Sequence, residues 1–166
     1  MIYDVESLQT IRDILIGRKE TVSVAESVTA GNLQTALSNA PDAACFLEGG
    51  ITAYNLGQKT RLLAVEPIEA MASDCVSEKV TTQMARETSR LFLSDHSIAI
   101  TGYATPVPEK NITELYAWIC IMYKSQVLLS QKIIPGNNIA FDAQLSYTNT
   151  LLRLFAGILR EQKHIQ

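Results

Sequence analysis

The period of the apolar positions changes several times along the chain, and each change marks an element. Val5, Leu8, Ile11, Ile14 and Leu15 recur at helical spacing, which predicts an amphipathic helix over 4–17 with Asp4 as N-cap and Gly17 as its stop. Val22 and Val24 then alternate with small residues, as a strand over 21–26 would, and Leu33, Ala36 and Leu37 return to helical spacing over 29–39. After a turn at Pro41 and the pair Gly49-Gly50, the β-rich run Ile51 to Tyr54 predicts a second strand, followed by a short helix carrying Lys59, Arg61, Leu62 and Leu63. Pro67 opens another short helix, and Ser77 is placed to cap a longer one with Val80, Met84, Leu91 and Phe92 on its apolar side.

The second half has a different rhythm. Ser97 to Gly102 reads as a buried strand ending at a loop that Pro106 and Pro108 keep extended. Two more β-rich runs, Tyr116 to Tyr123 and Gln126 to Ile134, are joined by the short polar turn Lys124-Ser125, so they should pair antiparallel as a hairpin. Leu145, Leu152, Phe155 and Leu159 predict a long closing helix over 139–163. Strands alternating with helices, then a hairpin and a helix, favour one α/β domain over 1–166, with a mixed, partly parallel sheet covered by helices on both faces.

Composition narrows the function classes. Hydrophobic residues make up 47% and charged residues 19% of the 166, as in an ordinary globule. A net charge of -3 and a pI near 5.4 provide no basic footprint for phosphate backbones, so nucleic acid is not an expected partner. Cys45, Cys75 and Cys120 are odd in number and widely spaced, unlike a disulfide framework or a zinc site. The acidic N-terminal segment does not resemble a signal peptide and no run reaches membrane-spanning length. A cytoplasmic protein without membrane partners, binding no metal, is the expectation.

The candidate chemistry lies in 21–31, TVSVAESVTAG. Here a strand ends at Glu26-Ser27 and a helix begins, which presents the Ser27 hydroxyl at a strand-to-helix turn. In that position the N–H groups of Thr29, Ala30 and Gly31 are expected to point at a developing anion or a phosphate. A serine nucleophile needs a base. His96 precedes a strand and His164 lies in the terminal tail, so Lys59, just after the second strand, is the chosen partner, on the logic of serine-lysine pairs whose lysine is neutralised by burial. The competing readings are a helix cap for Ser27 and a solvated surface charge for Lys59.

The segments AESVTAG, GGITAYNLGQKTRLLAV, VSEKVTTQMA and ITGYATP resemble, in order and spacing over nearly the whole chain, the CinA C-terminal domain family, which includes nicotinamide-nucleotide amidases. The resemblance implies a three-layer α/β/α sandwich, self-association into a homo-oligomer, and hydrolysis of the carboxamide of nicotinamide mononucleotide without a cofactor. It also implies site residues: Ser27 as nucleophile, Lys59 as base, and Tyr54 either orienting the lysine or contacting substrate, its alternative being a core-filling strand residue. Thr29, Thr101 and Gly102 match family positions that would line the substrate site, with capping and loop geometry as their alternative roles; Glu26 matches too, its alternative being a structural hydrogen bond or charge partner beside the turn, and Ala30 and Gly31, where the family has paired glycines, are further expected substrate contacts.

The chain departs from the family around that site. Ala30 replaces a glycine, Tyr103 to Glu109 replaces a glycine-rich loop, Asp42-Ala43-Ala44 replaces a hydroxyl-bearing segment, and Gly136-Asn137-Asn138 replaces a segment with an arginine. Lys132 and Arg153 are the candidates to supply the missing cation. Two readings follow: an amidase acting on nicotinamide mononucleotide or a related small amide, and a non-catalytic relative that keeps the fold and binds a small ligand or a protein.

Overall fold

In the computed structural model, which describes residues 2–136 and 139–162, the chain forms α1 (Val5–Arg18), β1 (Val22–Glu26), α2 (Asn32–Ser38), β2 (Leu47–Thr52), α3 (Leu56–Leu63), α4 (Pro67–Ala72), α5 (Glu78–Phe92), β3 (His96–Gly102), β4 (Ala117–Tyr123), β5 (Gln126–Ile133) and α6 (Ala140–Glu161). The strands make one five-stranded sheet in the order β2-β1-β3-β4-β5. β2, β1 and β3 are parallel, and β4 and β5 are antiparallel. The sheet is mixed, as the two halves of the sequence imply.

Strand alternation sorts the core into two layers. Val22, Val24, Ile98, Ile100, Ile119 and Ile121 project to the side covered by α1, α2 and α6, where they meet Leu8, Leu33 and Leu152. Their neighbours Ala25, Ala99, Cys120 and Met122 project to the side covered by α3, α4 and α5, against Leu63, Val80 and Met84. All five residues of β1 are buried, the mark of a strand covered on both faces. The protein is a three-layer α/β/α sandwich. Among the described residues no helix is long and apolar enough to cross a membrane.

Several boundaries differ from the sequence expectation, each for a local reason. α1 runs past Gly17 and stops at Lys19, whose left-handed backbone (φ 55°) returns its N–H to the carbonyls of Ile16 and Leu15. β2 begins at Leu47, so Gly49-Gly50 lies inside the strand. A Cβ on Gly50 would come within 2.5 Å of Val24 Cγ2 and 2.7 Å of the Val24 carbonyl oxygen; close pairing with β1, not a turn, requires the glycine. On α5 the buried stripe is Val80, Thr81, Met84, Ala85 and Thr88, whereas Leu91 is largely exposed. Asn137, Asn138 and His164 lie outside the described residues.

Candidate active site

In an open α/β sheet the crevice at the carboxyl ends of parallel strands, where the connections diverge, is the usual ligand site. Here β1 connects through α2 to β2 on one side, and β2 crosses back to β3 on the other. Ser27 leaves β1 at that divergence. Its N–H donates to the Ile100 carbonyl of β3 (3.1 Å), while the preceding carbonyl of Glu26 accepts from Ala53 N–H beyond β2 (2.9 Å). The serine is therefore held from both neighbouring strands.

The turn after Ser27 is anchored from within. The Glu26 side chain is fully buried, and its carboxylate accepts from the N–H groups of Gly31 (3.1 Å), Leu33 (3.0 Å) and Gln34 (2.8 Å). These are the donors that a helix start leaves without intrahelical partners. Ala30 (φ 51°) and Gly31 (φ 99°) are both left-handed, which delays α2 to Asn32, three residues later than its apolar spacing suggests. Ala30 N–H donates to the Ser27 carbonyl (3.2 Å). The expectation that Ala30 and Gly31 offer their N–H groups to an anion is thus overturned, because protein acceptors consume both. Among the described residues, the N–H groups of Val28 and Thr29 are the ones in this turn that donate to no protein acceptor. Glu26, too, sits as an anchor beneath the turn and not as a cavity-lining group.

Lys59, on the first turns of α3, is 1% exposed. Asn55 caps that helix by accepting from Gln58 N–H (3.0 Å), and the cap fixes where the lysine enters. Its Nζ lies 2.8 Å from Ser27 Oγ, 2.9 Å from the Ala53 carbonyl and 3.2 Å from the Tyr54 carbonyl. Three acceptors satisfy an ammonium. A neutral amine has two N–H groups for the two carbonyls and one lone pair left to accept the Ser27 hydroxyl proton. Burial lowers the Lys59 pKa below the ordinary lysine value, opposed by the charges of Cys75 and Asp74. Geometry and desolvation therefore favour a base aimed at the serine.

Ser27 and Lys59 open on a cavity of about 710 Å³. Thr101 and Gly102, at the end of β3, line it. The Thr101 hydroxyl donates to the Cys75 carbonyl (2.8 Å), tying the cavity wall to the sheet. Gly102 is required by packing, since a Cβ there would fall 2.5 Å from Ala117 Cα and from the Tyr116 carbonyl oxygen. Tyr54 also lines the cavity but is 74% exposed, so it does not fill the core, and its tie to Lys59 is the main-chain carbonyl. Thr29 is buried, and neither it nor Ala30 and Gly31 is among the described residues that line the cavity.

Sequence reasoning missed the opposite wall. Asp74 and Cys75 follow α4 in consecutive left-handed conformations (φ 52° and 62°), costly for side chains other than glycine and often found beside functional sites. Asp74 accepts from Lys110 Nζ (2.6 Å) and from Tyr103 Oη–H (3.0 Å), and all four residues face the cavity. No spacing rule brings positions 74 and 110 together; a tertiary contact does. Burial raises the Cys75 thiol pKa. Lys132 instead lies over the Tyr116 ring (3.7 Å) and Arg153 pairs with Asp4 (3.2 Å), so neither supplies a cavity cation. His96 stands at the opposite end of β3 from Thr101-Gly102, paired with Glu20 (3.0 Å), too far along the strand to serve Ser27.

An α/β/α sandwich with a buried serine–lysine pair at the carboxyl end of its central parallel strand defines the class. Within it, the chain belongs to the CinA C-terminal domain family, whose model matches residues 5–155. Curated relatives include a CinA-like protein of Prochlorococcus marinus, 43% identical over 103 residues (59% of this chain, 24% of the relative). A putative competence-damage inducible protein of Desulforudis audaxviator is 31% identical over 158 residues (93% of this chain, 37% of the relative). The chain thus spans about a quarter to a third of the length of these relatives.

Among solved structures, the competence damage-inducible protein A of Klebsiella pneumoniae superposes with a TM-score of 0.89 at 23% identity, covering 95% of this chain and 98% of that one. A CinA superfamily protein of Escherichia coli does so with a TM-score of 0.81 at 26% identity, covering 90% of this chain and 87% of that one.

Proposed function

We propose that this protein is an amide hydrolase that deamidates nicotinamide mononucleotide or a related small carboxamide through an acyl-enzyme on Ser27. The observation that carries this reading is the buried Lys59 Nζ at 2.8 Å from Ser27 Oγ, with its two remaining N–H groups held by main-chain carbonyls. Ser27 Oγ attacks the carboxamide carbon as its proton passes to Lys59. The oxyanion of the tetrahedral intermediate meets the N–H group of Val28, the open donor of this turn that belongs to a cavity-lining residue. Lys59 then returns the proton to the departing nitrogen, the C–N bond breaks, and ammonia leaves. A water molecule, deprotonated by the same amine, attacks the ester carbonyl and releases the acid, and the proton returns to Ser27.

Under this reading Tyr54 contributes its carbonyl to the base and its exposed ring to the cavity mouth, and Thr101 and Gly102 form the substrate wall. The family resemblance supports self-association of the chain, which sedimentation of the purified protein tests. The catalytic reading is tested by ammonia release from a panel of pyridine nucleotides and simple carboxamides. The expected result is turnover that Ser27→Ala and Lys59→Ala each reduce by about 10²-fold or more. Absence of turnover across the panel, with ligand binding retained, would replace it with the second reading, a binding module on the same fold.

A further inference from the structure

The carbonyls around Ser27 are held one by one. Glu26 O accepts from Ala53 N–H (2.9 Å), Ser27 O from Ala30 N–H (3.2 Å) and Thr29 O from Asn32 N–H (3.0 Å), all main-chain donors. The Val28 carbonyl is held differently. It accepts from the side-chain Nε2 of Gln144 (2.9 Å), on α6 and 116 residues away. Among the described residues, Gln144 is the one side chain from outside β1 and α2 that bonds the main chain of 26–31. It also lines the cavity. Tyr147, one turn further along the same face of α6 and fully buried, donates its Oη–H to the Tyr103 carbonyl (3.0 Å) in the loop after β3. α6 therefore braces the segments leaving both β1 and β3, which meet at the cavity.

The bond from Ala30 N–H to Ser27 O closes a turn over 27–30 in which Val28 and Thr29 are the central residues, and the peptide joining the central residues is the one whose orientation distinguishes turn types. Gln144 fixes that peptide. Val28 is then held through both of its peptide units, the preceding one at the Ser27 carbonyl and the following one at its own. A donor fixed before charge develops needs no reorganisation during reaction. We infer that Gln144 is a positioning residue, which acts through the Val28 carbonyl to hold the Val28 N–H ready for the oxyanion. The inference rests on the amidase reading of the same site and names a part of its machinery. Only the nitrogen of the glutamine amide can donate to a carbonyl, so the role requires a donor at this position and not merely a side chain of the right volume.

Three substitutions test this. Gln144→Leu removes the donor, Gln144→Glu keeps the shape but sets an acceptor against the Val28 carbonyl, and Gln144→His can present an Nε2–H in its place. With the amide that the wild type hydrolyses fastest, kcat should fall by about tenfold or more in the Leu and Glu variants, with KM within about twofold, and recover to within about threefold of wild type in the His variant. Loss of one half-exposed hydrogen bond should move the melting temperature by no more than about 4 °C. A second readout needs no amide: labelling of Ser27 by diisopropyl fluorophosphate, followed by intact mass, with Ser27→Ala as the blank. Here Ser27 Oγ bonds to phosphorus as the P–F bond breaks, and fluoride and the serine proton leave. Its rate should follow the same order across the variants.

Undiminished kcat and labelling in Gln144→Leu overturn the inference, even where amide hydrolysis upholds the amidase reading. So does a loss seen in KM alone, which would make Gln144 a substrate contact, or a loss that Gln144→His fails to restore. If the wild type hydrolyses no amide, the amidase reading falls and labelling decides alone. Slower labelling in the Leu and Glu variants, restored in the His variant, then supports the positioning role, and a wild type that is not labelled overturns it.

Discussion

Glutamine in place of Glu26 keeps the side chain's size and removes its charge and one of its two acceptor oxygens. In the native turn Oε2 accepts from Gly31 and Leu33 N–H, and Oε1 from Gln34 N–H. The best placement of the amide puts its single oxygen at the Oε2 position and leaves its NH2 facing the Gln34 N–H, donor against donor. One buried unsatisfied donor costs about 1–3 kcal/mol, and converting two hydrogen bonds from a charged to a neutral acceptor loses about 0.5–1.5 kcal/mol each. Glu26→Gln should therefore lower stability by about 3 kcal/mol.

With a urea m-value of about 2 kcal/mol/M, the unfolding midpoint should fall by about 1.5 M. The loosened turn carries Ser27, so under the amidase reading kcat for ammonia release should fall more than KM rises. The sequence reading, which puts Glu26 among the substrate contacts, expects the reverse. A variant within about 0.5 kcal/mol of wild type, with a raised KM and an intact kcat, would refute the anchoring argument.

Three further outcomes follow from buried groups. Activity should track the free amine of Lys59, so kcat/KM should rise with pH through a midpoint below the lysine value of 10.5. The unfolded chain binds the proton more tightly, so stability should also rise from the folded pKa up to that value, and Lys59→Met should remove both effects.

His96 is buried and its pKa is lowered by desolvation, against the raising influence of Glu20. The unfolded chain again takes up the proton first, so urea midpoints should fall as pH drops below about 6.5, and His96→Gln should flatten that fall. A slope unchanged by the substitution would assign the acid sensitivity elsewhere. In Gly102→Ala the new Cβ meets backbone of Ala117 and Tyr116 at 2.5 Å, so β4 must shift. The expected cost is about 1–3 kcal/mol, read as a lower melting temperature, and an unchanged melting temperature would mean that the strands part freely.

Much of this fold is written in local patterns. The alternation of Val22 and Val24, the apolar run at 97–102 and the two runs flanking Lys124-Ser125 identify strands because a strand buried on both faces, or paired in a hairpin, must have those residues whatever surrounds it. The left-handed pair Lys124 and Ser125 (φ 45° and 69°) closes that hairpin as a two-residue turn does. The ends of elements were less legible. Whether glycine stops a helix (Gly17 does not) or lets strands approach (Gly50 does) depends on what packs beside it.

The site divides the same way. Ser27 and Lys59 can be picked out by residue type and resemblance, and the fold sets them 2.8 Å apart. Glu26 reads either as a substrate contact or as a structural hydrogen-bond partner beside the turn, and only the fold decides for the second by bringing three N–H groups back onto its carboxylate. Asp74 and Lys110 were not legible at all, since neither sits in a motif and only the packing of the 103–112 loop against the end of α4 makes them a pair.

The lysine's two carbonyl partners have a consequence for how such a site can change. Ala53 and Tyr54 hold Nζ through atoms that every amino acid possesses, so replacing either side chain leaves those acceptor atoms in the chain. Random substitution can recolour the rim at Tyr54 while leaving the proton acceptor's tether untouched. Under the amidase reading, a reaction centre fastened by main chain in this way lets ligand preference drift independently of chemistry, which makes position 54 a natural starting point for varying the amide that is accepted.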